Sequence, residues 1–115
     1  MNAAQLTRRK HFPREMQVYF TVRHTSKHHH PVESYARTAV QEFKKYYNGI
    51  TDCRIVLDHQ KNDYVNNKLA EITVHVHDHT FVSKEAADTY EKAIDACVEH
   101  ISRQLQKHKE KVRHL

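Results

Sequence analysis

The chain predicts an α+β domain with the element order β-α-β-β-β-α: a four-stranded sheet with two helices packed on one face. Three observations carry that expectation. Four stretches alternate apolar and polar residues with the period of a strand. Two stretches repeat apolar residues with the period of a helix. Three of the strands follow one another with no helix between them, which favours antiparallel hairpins with one wet face, so both helices must cover the other face.

The first strand is "MQVYFTVR", residues 16–23. Met16, Val18, Phe20 and Val22 face one way and Gln17, Tyr19, Thr21 and Arg23 the other. After the loop "HTSKHHH", Pro31 suits the opening of a helix. Val32, Tyr35, Ala36, Ala39, Val40, Phe43 and Tyr47 then form one apolar face. Asn48 and Gly49 end it, and Gly49, the only glycine, fits a left-handed cap. "CRIVLDH", residues 53–59, is a second strand with Cys53, Ile55 and Leu57 inward, followed by the polar loop "QKNDYVNN". "KLAEITVHVH", residues 68–77, is a third, with Ala70, Ile72, Val74 and Val76 inward. Asp78 and His79 turn the chain into a short fourth strand, "TFVSKE", residues 80–85. From Ala86 the helical period returns through Tyr90, Ile94, Cys97, Val98, Ile101 and Leu105, reaching about residue 110.

A chain of 115 residues is one domain. Residues 1–15 lack periodicity and read as a flexible basic arm; residues 16–115 read as the domain. No stretch approaches the roughly 20 apolar residues of a membrane span. The first 15 residues have no apolar signal core, which points to the cytoplasm. Cys53 and Cys97 form no metal-binding spacing and read as two buried thiols. The net charge of +5 is unevenly placed: residues 1–15 carry +3, residues 16–100 carry −2 and residues 101–115 carry +4. Basic ends on a neutral body suit a polyanionic partner.

Twelve histidines raise the question of a metal. "VHVHDH", residues 74–79, puts His75, His77 and His79 on alternate positions, and His28, His29 and His30 form a run. A metal-binding or metal-buffering domain built on them is the alternative reading. The phase of the third strand places His75 and His77 on its wet face with no further ligand in fixed geometry. Ordinary polar surface is therefore the simpler expectation, with no cofactor. Catalysis finds no support: there is no phosphate loop, no G-x-S-x-G and no H-E-x-x-H.

The last helix is more informative. On a wheel of about 100° per residue, Arg103, Lys107, Lys111, His100 and His114 fall within about 80° of arc. They border the apolar stripe, while Asp95, Glu99 and Glu110 lie on the other side. Such a stripe can grip phosphates while the helix stays docked. The helix-on-sheet layout also resembles that of a general double-stranded RNA-binding module.

Particular segments carry a resemblance. "ADTYEKAIDACVEHISRQLQKHKEKV" has Asp88, Tyr90, Ala93, Ile94 and Asp95, then Arg103, Gln104, Leu105, Lys107, His108 and Lys109. With "TVHVHDHTF", "FKKYYNGI" and the pair Arg23-His24, it resembles the ribosome hibernation-promoting factor family, also called ribosomal-subunit interface or sigma-54 modulation proteins. The resemblance runs from residue 16 to about 113 and matches the element order read above. It implies a non-enzymatic translation inhibitor that binds the rRNA of the small ribosomal subunit in its decoding and tRNA–mRNA channel. It further implies a short family form, monomeric off the ribosome, which acts with ribosome modulation factor to promote dimeric, hibernating ribosomes in stationary phase or stress. Carried over by position, the rRNA contacts are Arg103 and Lys107, extended by Lys111, with His100, Lys109, Arg23, Lys27, Lys44 and Lys45 as lesser candidates. The family often has Lys where His100 stands, a Thr or Ser cap near His29 or His30, and a basic residue near Glu33, so the start of the first helix departs from the pattern.

Overall fold

A computed structural model describes residues 16–24 and 30–113. The basic arm, Lys27, His28, His29 and His114 lie outside the described residues. Strand β1 (Gln17–Val22) leads to helix α1 (His30–Ala39), which continues as a 3-10 segment over Val40–Lys45. Strands β2 (Ile50–His59), β3 (Lys68–Val76) and β4 (His79–Ala87) follow, and helix α2 (Tyr90–Arg113) ends the fold. The sheet order is β1-β2-β3-β4. β1 runs parallel to β2, with Tyr19 opposite Arg54. This pairing requires the crossover that α1 supplies. β2 with β3 and β3 with β4 are antiparallel, aligning Ile55 with Ile72 and Val74 with Phe81.

The expected inward residues meet in one core. Cys53, Ile55, Leu57, Ala70, Ile72 and Val74 from the sheet pack under Ala36, Val40 and Phe43 and under Ile94, Cys97, Ile101 and Leu105. The single S–H of Cys97 has the carbonyls of Ala70 and Ser83 within reach at 3.3 and 3.4 Å, so this sulfur joins helix to sheet. Among the described residues no helix is long and apolar enough to cross a membrane.

Four details differ from the expectation. The first helical stretch changes from α to 3-10 at Val40. With about three residues per turn, Val40 and Phe43 eclipse each other, and both are fully buried. Gly49 has no positive φ. The helical stretch ends through the tight 3-10 turn instead, where the Tyr46 amide donates to Phe43 O at 3.0 Å. What Gly49 provides is room, since a Cβ there would stand 3.0 Å from Cε2 of Tyr47.

The second strand begins three residues early, at Ile50. A register shift between Ile50 and Asp52 lets both Ile50 and Cys53 face inward and breaks the simple alternation. The fourth strand runs from His79 to Ala87, so the last helix begins at Tyr90 rather than Ala86. Thr89 supplies the cap, its Oγ1 accepting the Lys92 amide at 3.1 Å.

Candidate nucleic-acid interface

Helix α2 presents three flanks. Ile94, Cys97, Ile101 and Leu105 bury the inner one. Toward α1 lies a cleft of about 660 Å³ lined by Tyr35, Tyr46, Asp95, Glu99, Ser102 and Arg103, among others. The Tyr35 hydroxyl donates to Asp95 at 2.7 Å, and this bond to a carboxylate pushes the phenol pKa up. Arg103 stands at this cleft with its guanidinium paired to Glu99 one turn earlier. Its charge is therefore partly neutralised.

The lysines lie on two sides of the helix: Lys107 and Lys111 share the side of His100, toward β4, and Lys109 stands about 160–200° around, toward α1. Lys107, Lys109 and Lys111 are exposed. Among the described residues none of them has an ion pair or hydrogen bond. Lys44 is likewise exposed and unpaired, while Lys45 pairs with Glu42 at 3.1 Å. These two stretches, some 60 residues apart in sequence, share one end of the molecule, because the rings of Tyr47 and His108 sit 5.6 Å apart. Five lysines thus surround the last turns of α2. With no ion pair to share their charge, the three lysines of α2 and Lys44 are ready to meet phosphates.

Not every expected residue joins them. His100 is held by β4: its Nδ1 lies 2.9 Å from Glu85 Oε1. Arg23 follows β1, at the end of the sheet where α2 begins, with its amide bonded to Leu57 O at 2.8 Å. The 18 positions from Tyr90 to His108, at about 1.5 Å each, separate the two ends of α2 by roughly 27 Å.

The histidines separate in the same way. His75 lies on the wet face of the sheet, 3.0 Å from Thr80 Oγ1 and 3.9 Å from Asp52 Oδ1. His77 is exposed in the β3–β4 turn. His79 belongs to β4 and faces the helices, stacking on His108 at 5.4 Å between centroids. The turn divides the three histidines between the two faces. Among the described residues no three His, Cys, Asp or Glu side chains stand where they could hold a metal ion.

Sequence reasoning missed a cluster of Tyr47, Asp78, His79 and Phe81 around His108. His108 Nε2 lies 3.3 Å from Asp78 Oδ1. The signal was present: on the helical wheel His108 falls inside the apolar stripe, at about 140° from Arg103. The wet face of the sheet holds another unread contact, the Arg54 guanidinium 4.7 Å over the Tyr19 ring.

In class, this is a small mixed-sheet α+β domain that presents the lysine-bearing end of a docked helix. The chain belongs to the Sigma 54 modulation protein / S30EA ribosomal protein family, whose model matches residues 18–113. Solved structures share the fold. The N-terminal domain of Protein Y from Thermus thermophilus is 18% identical, with a TM-score of 0.68 over 81% of this chain and 99% of that one. A ribosomal subunit interface protein from Coxiella burnetii is 15% identical, with a TM-score of 0.71 over 83% of this chain and 99% of that one. No curated protein matches the chain.

Proposed function

We propose that this protein is a ribosome-associated translation inhibitor that binds rRNA of the small subunit through the end of α2. The observation that carries the reading is the set of unpaired, exposed Lys107, Lys109 and Lys111 on a helix whose inner face is fully packed. A rigid helix end with uncompensated positive charge binds a phosphate backbone without ordering cost. Family membership and the likeness to a subunit interface protein support the ribosome as the source of that RNA. Bound in the channel of mRNA and tRNA, the protein acts as a plug; no bond is made or broken. In the cytoplasm it acts as a monomer and, with ribosome modulation factor, promotes the paired, idle ribosomes of stationary or stressed cells.

Sedimentation of purified small subunits with the protein tests this. Co-migration at low salt that falls steeply as salt rises is expected. Failure to co-migrate at low salt would sink the proposal. Free duplex RNA competing as strongly as subunits would instead indicate a general double-stranded RNA binder.

A further inference from the structure

Beyond Leu105, which is fully buried, α2 runs on for eight residues to Arg113. Residues 106, 107, 109, 110 and 111 in this stretch are all exposed. His108 is the exception, its side chain 16% exposed. At about 1.5 Å per residue the helix projects roughly 12 Å past the last buried residue among those described. A helix end with no side chain packed on the body of the protein is free to fray. Something must hold this one down, and among the described side chains of the stretch that task falls to His108.

Its surroundings are built for it. The ring lies nearly parallel to His79, at 5.4 Å and 26°. It meets Phe81 edge-on at 5.4 Å and Tyr47 at 5.6 Å. Its Nε2 reaches Asp78 Oδ1 at 3.3 Å. Phe81 in turn backs His79 at 4.5 Å. Two segments distant in sequence, the end of the first helical stretch and the β3–β4 turn running into β4, converge on one imidazole. Lys107 and Lys109 are its chain neighbours, one on either side of it around the helix, and Lys111 follows one turn after Lys107 on the same side.

We infer that His108 is a positioning residue for the basic end of α2, and that Asp78, His79, Phe81 and Tyr47 form its seat. The inference rests on the reading that these lysines meet a polyanion. Residues of "VHVHDH" thus act on binding without touching the ligand: they fix where Lys107, Lys109 and Lys111 stand. With the seat empty, the last two turns fray, and binding must first order them.

The experiment uses the full chain and three variants, His108→Ala, His108→Phe and His79→Ala. Amide hydrogen exchange of residues 106–113 reports the position of the helix end. Affinity for purified 30S subunits, its salt slope and retention on heparin report binding, with thermal melting as the check on the fold. For His108→Ala we expect protection lost in 106–113 alone, affinity lowered about tenfold or more and the salt slope reduced by about one to two. His79→Ala is expected to move all three in the same direction by less. The His108→Phe ring refills the seat and restores protection, affinity and slope.

Unchanged protection in His108→Ala overturns the inference. So does lost protection with unchanged affinity and slope. A Phe variant that regains protection yet binds as weakly as the Ala variant also overturns it, because His108 would then be a contact itself. If wild type fails to bind subunits while heparin retention still follows protection, the ribosomal reading falls and the positioning role stands.

Discussion

His24 Nδ1 lies 2.6 Å from Asp58 Oδ1, and its backbone adopts a φ of 61° to reach it. His24 follows β1, and Asp58 is the penultimate residue of β2, so the bond closes the end of the one parallel strand pair. A left-handed φ is uncommon for a non-glycine residue. The carboxylate offsets it here by accepting the imidazole and, at 2.8 Å, the His59 amide.

Those bonds, first His24 and then the His59 amide, hold the Asp58 pKa below its ordinary value. A depressed folded value stabilises the fold above the unfolded pKa of about 3.9 and loses that contribution as pH falls through the folded value. Asp58→Asn should cost about 1 kcal/mol at neutral pH. The gap to wild type should narrow below pH ~4, as read from urea midpoints. An equal gap at pH 7 and pH 3 would show that the carboxylate charge is idle.

The charge pattern on α2 ranks the binding residues. Lys107→Glu with Lys111→Glu should weaken 30S binding by about two orders of magnitude and lower the salt slope by about two, because both lysines are unpaired. Arg103→Ala should do less, since its guanidinium is already shared with Glu99. Circular dichroism should be unchanged in both, as all three side chains are exposed. Equal losses for the single and double variants would contradict this ranking.

Burial pushes the Cys53 thiol up to about 12, aided by the neighbouring Asp52, and burial pushes Cys97 up to about 11. The unfolded thiols ionise near pH 8.5 while the folded ones stay neutral. The raised folded values therefore give stability that is fully present below pH ~8.5 and is lost as pH rises toward the folded pKa values. Stability measured from pH 8 to 10.5 should fall, and a Cys53→Ala, Cys97→Ala variant should show a shallower decline. In the native protein at pH 8, thiol reagents should react only as fast as the chain opens.

Gly49→Ala tests whether glycine is there for conformation or for space. Its φ is not left-handed, so the backbone tolerates Ala. The added Cβ would press on the Tyr47 ring at 3.0 Å. We expect a loss of about 1 kcal/mol, together with faster amide exchange in residues 106–113, because Tyr47 is part of the seat of His108. A larger loss confined to residues 46–50 would indicate a backbone role instead.

The element order, the inward faces and the basic helix are legible along the chain without its partners. Each is a matter of period: alternation in Ala70, Ile72, Val74 and Val76, and the helical repeat through Ile94, Ile101 and Leu105, follow from strand and helix geometry with no knowledge of partners. The same local logic failed where a neighbour sets the geometry. The early start of β2 depends on a register shift against β3. The 3-10 end of the first helical stretch depends on burying Val40 and Phe43 together. Gly49 is explained by a ring two residues away. The site divided along the same line. Composition named the lysines, but packing across the sheet brings Lys44 to the same end as Lys107, keeps Arg23 away from it, and turns two histidines of one hexapeptide to opposite faces of the sheet. Charge and period are properties of a chain read along its length. Which lysines come to one end, and which imidazole becomes an anchor, depends on contacts between residues 30 or more positions apart, as His108 and Asp78 are.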